Sequence, residues 1–440
     1  MKRILCCILV IFTANAFATQ ARVEGMGKRP AFFLDDMTMF DNPANATFYS
    51  SALMGELGFY NQNSLNGSHI GKIQDPLVPW FGALFKFGLS DKDMRDPQIT
   101  VGGFFGREHY NFTRFVPRNV IVNGETVPIP QSVTNFDAFL AGTMIDGSAV
   151  GAHVYVGVQD GKQDHVSNDP ALGELVSNAH VSILSMDYGA NFLVTNSTSI
   201  ELTLGIARIQ YGPSRKTFLD PGLFSFYSQG RIFLDFDFLG GQIVSGYKIA
   251  AMEVPGWTED FYDLNVGLNV SIPRGFFWIG LDGVRVKEEV GTWYKDKDKS
   301  GNDFLVYREP GTKEKYFNDR SDRMGGVLSF GVERNVLSNW LILRVGGQKS
   351  FIYNTCTKLS STDPENAPIC STEKVGQKVN YWSTNPYGDG SLDDHVGVGV
   401  GFNIDNKLKI DFTVAEDAFF RNPFRGEGRI ISRISSVYTF

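Results

Sequence analysis

Ile434-Ser435-Ser436-Val437-Tyr438-Thr439-Phe440 closes the chain and decides the fold. Successive side chains of a strand point to opposite sides. Ile434, Tyr438 and Phe440 therefore share one face, and Arg433, Ser435 and Thr439 share the other. A strand apolar on one side and polar on the other suits a wall between hydrocarbon and water.

The same period of two recurs upstream. Leu264, Val266, Leu268, Val270 and Ile272 oppose Asp263, Asn265, Gly267, Asn269 and Ser271. Val396, Val398, Val400, Phe402 and Ile404 alternate with Gly397, Gly399, Gly401 and Asn403. Leu408, Ile410, Phe412 and Val414 oppose Lys407, Lys409, Asp411 and Thr413. Ile200, Leu202, Leu204 and Ile206 oppose Glu201, Thr203 and Gly205, and Val150, Val154, Val156 and Val158 oppose Gly151, His153, Tyr155 and Gln159. A soluble sandwich alternates too, with its apolar face inward. Periodicity alone does not separate the two.

The other end of the chain and the connections separate them. Met1-Lys2-Arg3 precedes an apolar run from Ile4 to Phe12, and Ala14-Asn15-Ala16-Phe17-Ala18 has cleavage-site spacing. Residues 1–18 read as a signal peptide cut after Ala18. A lipoprotein signal using Cys6 or Cys7 fits poorly, because both lie inside the apolar run. Tight turns are expected at Asp146-Gly147, Asn196-Ser197, Gly240-Gly241, Pro273-Arg274, Val336 to Asn339 and Asp405-Asn406, with a longer one over Ser90 to Pro97. Long polar connections alternate with them near 61–78, 107–134, 160–179, 212–229, 252–260, 288–324, 352–394 and 416–430. Short turns on one side and long loops on the other are the outer-membrane arrangement. The expectation is an all-β transmembrane antiparallel barrel over 51–440 with about 14–16 strands, 16 by this count, in the outer membrane of a Gram-negative-type envelope. Phe440 is the residue that barrel-assembly machinery would read.

Composition agrees. Gly at 47 and Phe at 36 of 440 residues favour a β protein. No run approaches 18 apolar residues beyond the signal, so no transmembrane helix is expected. Losing Lys2 and Arg3 leaves 41 − 2 = 39 basic against 48 acidic residues, a charge of −9. No basic excess points to nucleic acid. Cys356 and Cys370 survive processing and flank a polar stretch, which predicts a disulfide pinning a surface loop.

Residues 19–50 do not alternate. They read Arg22-Val23-Glu24-Gly25-Met26-Gly27, then Ala31-Phe32-Phe33-Leu34-Asp35-Asp36, then Asp41-Asn42-Pro43-Ala44-Asn45. This pattern resembles the N-terminal signature of the long-chain fatty acid transporter superfamily (FadL/TodX type), which includes the PorV-like barrels of type IX secretion. Lys28 and Asn45 depart from it, and members have 14 strands. The resemblance implies a small plug, or hatch, at 19–50 inside the barrel. Asn42 before Pro43 suits the turn this needs. Phe32, Phe33, Leu34, Phe40, Asn42 and Pro43 are then ligand or plug candidates, the rings lining a greasy pocket or forming the plug's own core.

No P-loop, HExxH or Gly-x-Ser-x-Gly elbow is present, and no enzyme is expected. Gly397-x-Gly399-x-Gly401 has no following helix, so close packing inside a barrel explains it better than a dinucleotide loop. Asp296, Asp298 and Ser300 alternate before Gly301 as in a calcium loop, but Tyr307 stands where the closing Glu belongs. Solvated charge is the plainer reading, and no metal or cofactor is expected. Glu201, Asp235, Asp237, Arg344, Lys409 and Asp411 fall on lumen faces as wall networks or plug contacts, and His153 and His395 join them. Trp80, Trp278, Trp340 and Tyr438, near strand ends, are expected in interfacial girdles. The partners implied are outer-membrane lipid and either a hydrophobic, fatty-acid-like small molecule or, in a PorV-like accessory barrel, a secreted protein bound by the loops. A general diffusion porin would need an open polar lumen, which a plug obstructs.

Overall fold

The computed structural model describes residues 20–27, 29–59, 76–88, 97–107, 119–122, 125–128, 134–160, 180–212, 224–237, 240–254, 257–291, 293–297, 303–307, 317–337, 340–358, 376–383, 394–414 and 430–440. The signal peptide, Cys370, Asp298 and Ser300 lie outside them.

Strands β1 (Ala52–Phe59), β2 (Pro76–Gly88) and β3 (Gln98–Phe105) are followed by a short hairpin, β4 (Asn119–Val122) and β5 (Glu125–Pro128). Then come β6 (Thr134–Thr143), β7 (Ala149–Asp160), β8 (His180–Thr195), β9 (Thr198–Gly212), β10 (Ser225–Phe236), β11 (Gly241–Val254), β12 (Trp257–Ile272) and β13 (Gly275–Gly291). A second hairpin, β14 (Trp293–Lys297) and β15 (Asp303–Tyr307), precedes β16 (Phe317–Leu337), β17 (Leu341–Lys358), β18 (Lys378–Ser383), β19 (His395–Ile404), β20 (Leu408–Val414) and β21 (Ile431–Thr439). The main sheet joins 17 strands, each antiparallel to its neighbours. They fill sixteen wall positions, because β18 and β19 pair with successive parts of β17. β21 pairs with β1, Thr439 opposite Ala52, and the wall closes. Closure removes the sheet edge that hydrocarbon would not tolerate.

The alternation resolves into an outside and an inside. Leu264 is 70% exposed and its neighbours Asp263 and Asn265 are buried. Leu204, Val266, Val396, Ile434, Tyr438 and Phe440 face out, while Thr203, Arg433, Ser435 and Thr439 face in. Apolar residues are thus on the lipid side. Trp340 with Phe402, and Tyr438 with Phe440, form stacked pairs at the turn-side end, and Tyr353 with Trp382 a T-shaped pair toward the loop side. On this lipid face a Leu264→Arg substitution is expected to destabilise the barrel by up to about 2–4 kcal/mol, the value that holds at the midplane. The measurement is the fraction of barrel that folds into lipid vesicles, with Leu264→Ala as control.

The tight turns at 146–147, 196–197, 240–241, 273–274 and 405–406 fall on one side, while most of Ser90 to Pro97 and residues 338–339 lie outside the described residues. Asp405 (φ 52°) and Asn406 (φ 57°) both adopt left-handed backbone, as a two-residue turn of the primed type requires. One expected loop is absent: β11 ends at Val254 and β12 begins at Trp257, so 252–260 is a hairpin end. Two other loop-side connections are shortened too, since β13, β16 and β17 run into 288–324 and 352–358. Their outward faces turn polar, as at Glu253, Asp260, Lys287 and Arg320, because they stand above the hydrocarbon, where the hydrogen-bond ladder continues without an apolar side toward lipid. The β4–β5 and β14–β15 hairpins arise from connections eight wall positions apart, and β4 lies against β14. Opposite sides of the barrel thus meet across the mouth.

Candidate functional site

Residues 20–27 and 29–50 lie inside the barrel and touch its wall on several sides. Helix α1 (Gln20–Gly25) packs on β17, β19, β20 and β21; the 3-10 turn Pro30–Phe32 packs on β11, β12 and β13; the 3-10 turn Pro43–Phe48 packs on β3, β6, β7 and β8. Local chemistry sets these turns. Asn42 is extended, its side chain accepts from the Ala44 amide at 3.1 Å, and Pro43 supplies a pre-set first position. Asp35 Oδ1 accepts from the amides of Met37 and Thr38, at 2.8 and 3.2 Å, and starts helix α2 (Thr38–Asp41).

The wall receives this plug at glycines. A Cβ at Gly397 would lie 1.9 Å from the Glu24 carbonyl oxygen, and one at Gly346 would lie 2.2 Å from the Met26 carbonyl carbon. Cβ atoms at Gly267 and Gly280 would each meet the Phe32 ring at 2.3 Å. Gly151 and Gly189 do the same for Pro43 and Asn42. In each place the plug occupies the volume that a wall side chain would take.

Buried ion pairs lock the seam. Arg22 Nε donates to Glu333 Oε2 at 2.7 Å, Arg344 Nε donates to the same oxygen at 2.6 Å, and Arg344 Nη1 donates to Asp411 at 2.5 Å. Arg433 donates to Glu24 at 2.9 and 3.2 Å and also to Glu56. Arg29 bridges Asp282 and Asp263. Arg231 holds Glu201 at 2.5 Å. The Glu24 carbonyl accepts from His395 Nε2 at 2.8 Å.

Aromatic rings complete it. Phe32 stacks on Trp278 at 5.4 Å, and Phe33 leans on Trp278 and Phe276. Phe40 sits among Trp80, Phe104 and Phe139, with the Arg107 guanidinium 3.9 Å from its ring centre. Arg107 is itself held by Asp137, and His153 bridges Asp137 and Asp187 at 2.6 and 2.7 Å. Trp80 and Trp278 are therefore not girdle residues. Trp278 shares the face of Gly280 and Asp282, and Trp80 that of Leu84, so parity along the strand places both inward. Trp340 and Tyr438 do face out.

The candidates distribute as follows. Phe32, Phe33, Phe40, Asn42 and Pro43 are buried in the seam; Leu34 is half-buried and its carbonyl accepts from Arg22. Glu201, Arg344 and Asp411 join seam networks, and Lys409 is half-buried on the lumen face. Asp235 and Asp237 are exposed at the turn-side rim, outside the lumen proper. Cys356 is buried on the inward face of β17, and Asp296 lies in β14. Sequence reasoning missed Arg22, Glu24, Arg29, Glu56, Glu333 and Arg433 as seam residues. The available signal was charge on predicted inward positions, which Arg433 displays beside Ser435.

A closed antiparallel wall, greasy outside and plugged inside, defines an outer-membrane β-barrel. No protein-family model and no curated protein matches this chain. Among solved structures it is similar to the CymD monoaromatic hydrocarbon channel, at 12% identity over 96% of this chain and 97% of that one, with a TM-score of 0.38. It is also similar to the Pseudomonas putida toluene transporter TodX, at 12% identity over 96% and 97%, TM-score 0.34. BamA from Haemophilus ducreyi matches at 10% identity over 88% and 69%, TM-score 0.34. All three scores are low, and the fold rests on the chain's own strand pairings and exposed faces.

Proposed function

We propose that this barrel passes small hydrophobic or amphipathic molecules, fatty-acid-like in character, across the outer membrane without energy input. The observation that carries this is an apolar band on the inward face, on the loop side of the plug, interrupted by the buried Arg323–Glu288 pair where β16 passes. Ile183, Ile209, Ala250, Phe261, Val286 and Ile352 all face in there, and Phe261 has Ala250 and Val286 as its cross-strand neighbours. A general porin would present polar side chains at these positions. The plug then stands between the band and the periplasm.

The test is uptake of radiolabelled oleate by a Gram-negative host deleted for its own hydrophobic-solute channels. Uptake above the empty-vector level is expected, with Phe261→Asp lowering it about tenfold, the effect of roughly 1.4 kcal/mol. Uptake at the vector level, with the barrel folded in the membrane, removes the proposal.

The two hairpins meeting over the mouth favour a second reading, a PorV-like accessory barrel that binds secreted proteins through its loops. Cross-linking in cells should then recover secreted proteins on 119–128 or 293–307, and recovery of none counts against it.

A further inference from the structure

We propose that Asp36, together with Asp35, is a proton-binding site that latches the plug in the barrel. The plug is held while the pair carries protons and loosens once both carboxylates are bare. This rests on the reading above that the plug stands in the path of passage.

Asp36 is 2% exposed, and neither of its oxygens accepts a hydrogen bond. In Asp35, Oδ1 is used by the Met37 and Thr38 amides, but the buried Oδ2 has no partner. A carboxylate charge buried without hydrogen bonds is costly, and two adjacent ones repel. A protonated carboxyl avoids both costs.

The charged groups around the pair come from several elements. Within the plug these are Arg22, Asp41 and the Tyr49 hydroxyl; β20 presents Lys409 and Asp411, and β10 presents Arg231. Glu201 of β9 lies beyond Arg231. Arg22 is committed to Glu333 and Arg231 to Glu201. Lys409 attracts Asp36 but gives it no hydrogen bond. Burial wins over these attractions. It pushes the Asp35 carboxyl up to about 7 and the Asp36 carboxyl well above its ordinary value, Asp35 adding to the latter.

The direction follows from linkage. The docked plug binds protons more tightly than an undocked one, whose carboxyls would titrate near the ordinary value of 3.8. Docking is therefore strongest in acid. It weakens as pH rises from about 4 toward 7 and above.

Hydrogen exchange on the full-length barrel in lipid nanodiscs tests this between pH 5 and 8.5, with rates corrected for intrinsic pH dependence. Protection of peptides from 20–50 should fall at least about tenfold over that range, one pH unit of linked proton release being worth tenfold. Protection of 257–291 should stay level. Asp36→Asn loses no hydrogen bond and should make the fall in plug protection shallower, leaving only the share that Asp35 titrates; Asp36→Ala serves as the second variant. A flat wild-type profile, or a variant profile that follows the wild type, overturns the latch. Lost oleate uptake with pH-dependent protection removes only the channel reading, and flat protection with uptake intact removes only the latch.

Discussion

A barrel carrying Gly397→Val and Gly346→Val together should insert and close normally yet leave its N-terminal segment undocked. Both positions are strand residues whose missing side chains make room for backbone of α1 and the turn after it. A Cβ would overlap the Glu24 carbonyl oxygen at 1.9 Å and the Met26 carbonyl carbon at 2.2 Å. Backbone atoms pinned by ion pairs on either side have nowhere to retreat. Overpacking costs about 1–3 kcal/mol per site, so the pair removes about 2–6 kcal/mol of docking energy. Valine is a good strand former, so the wall itself is not penalised. Two readouts are expected to move together. Exchange protection of 20–50 collapses, and single-channel current rises toward that of an open barrel, since a sixteen-stranded lumen is too wide for side chains to fill. Gly283→Ala, where a Cβ would meet nothing closer than 3.8 Å, is the control and should change neither. A double variant with a silent, protected lumen would show that the plug is not held at these glycines.

Arg433→Leu is the second large effect. Its guanidinium is buried between Glu24 of the plug and Glu56 of β1, so one side chain ties the last strand, the first strand and the insert. Removing it leaves two buried carboxylates facing each other with no cation. Stranding such charges costs about 3–5 kcal/mol. The variant should unfold at markedly lower denaturant concentration, or refuse to assemble. Adding Glu24→Gln and Glu56→Gln should recover most of the loss, because the damage lies in the unpaired charge rather than the missing contact. Urea titration of vesicle-inserted protein, followed by tryptophan fluorescence, measures both. A single variant as stable as wild type, or a triple variant no better than the single, would contradict this account.

The outer face of the wall was legible because lipid imposes one rule on every strand. Alternation at 263–272, 396–404 and 434–440 therefore read correctly without knowledge of any neighbour. The seam was not legible. Arg22 meets Glu333 and Arg433 meets Glu24 across more than 300 residues, with no period to reveal them. The glycine seats looked like ordinary weak points in strands. Trp80 and Trp278 lie near strand ends, a place that suggests a girdle, but parity along the strand turns both inward. The 252–260 hairpin was hidden by polarity, which marks water on both sides as readily as it marks a loop.

Strands β12, β13, β16 and β17 run 16, 17, 21 and 18 residues, where about 9–11 suffice to cross hydrocarbon. At about 3.3 Å per residue and a tilt near 40°, the surplus in β16 lifts its tip about 28 Å beyond the lipid tails. Exposed pairs such as Arg285 with Asp322 and Arg320 with Glu289 belong to that raised flank. One side of the barrel therefore carries a stiff palisade, which any large particle arriving from outside would meet first.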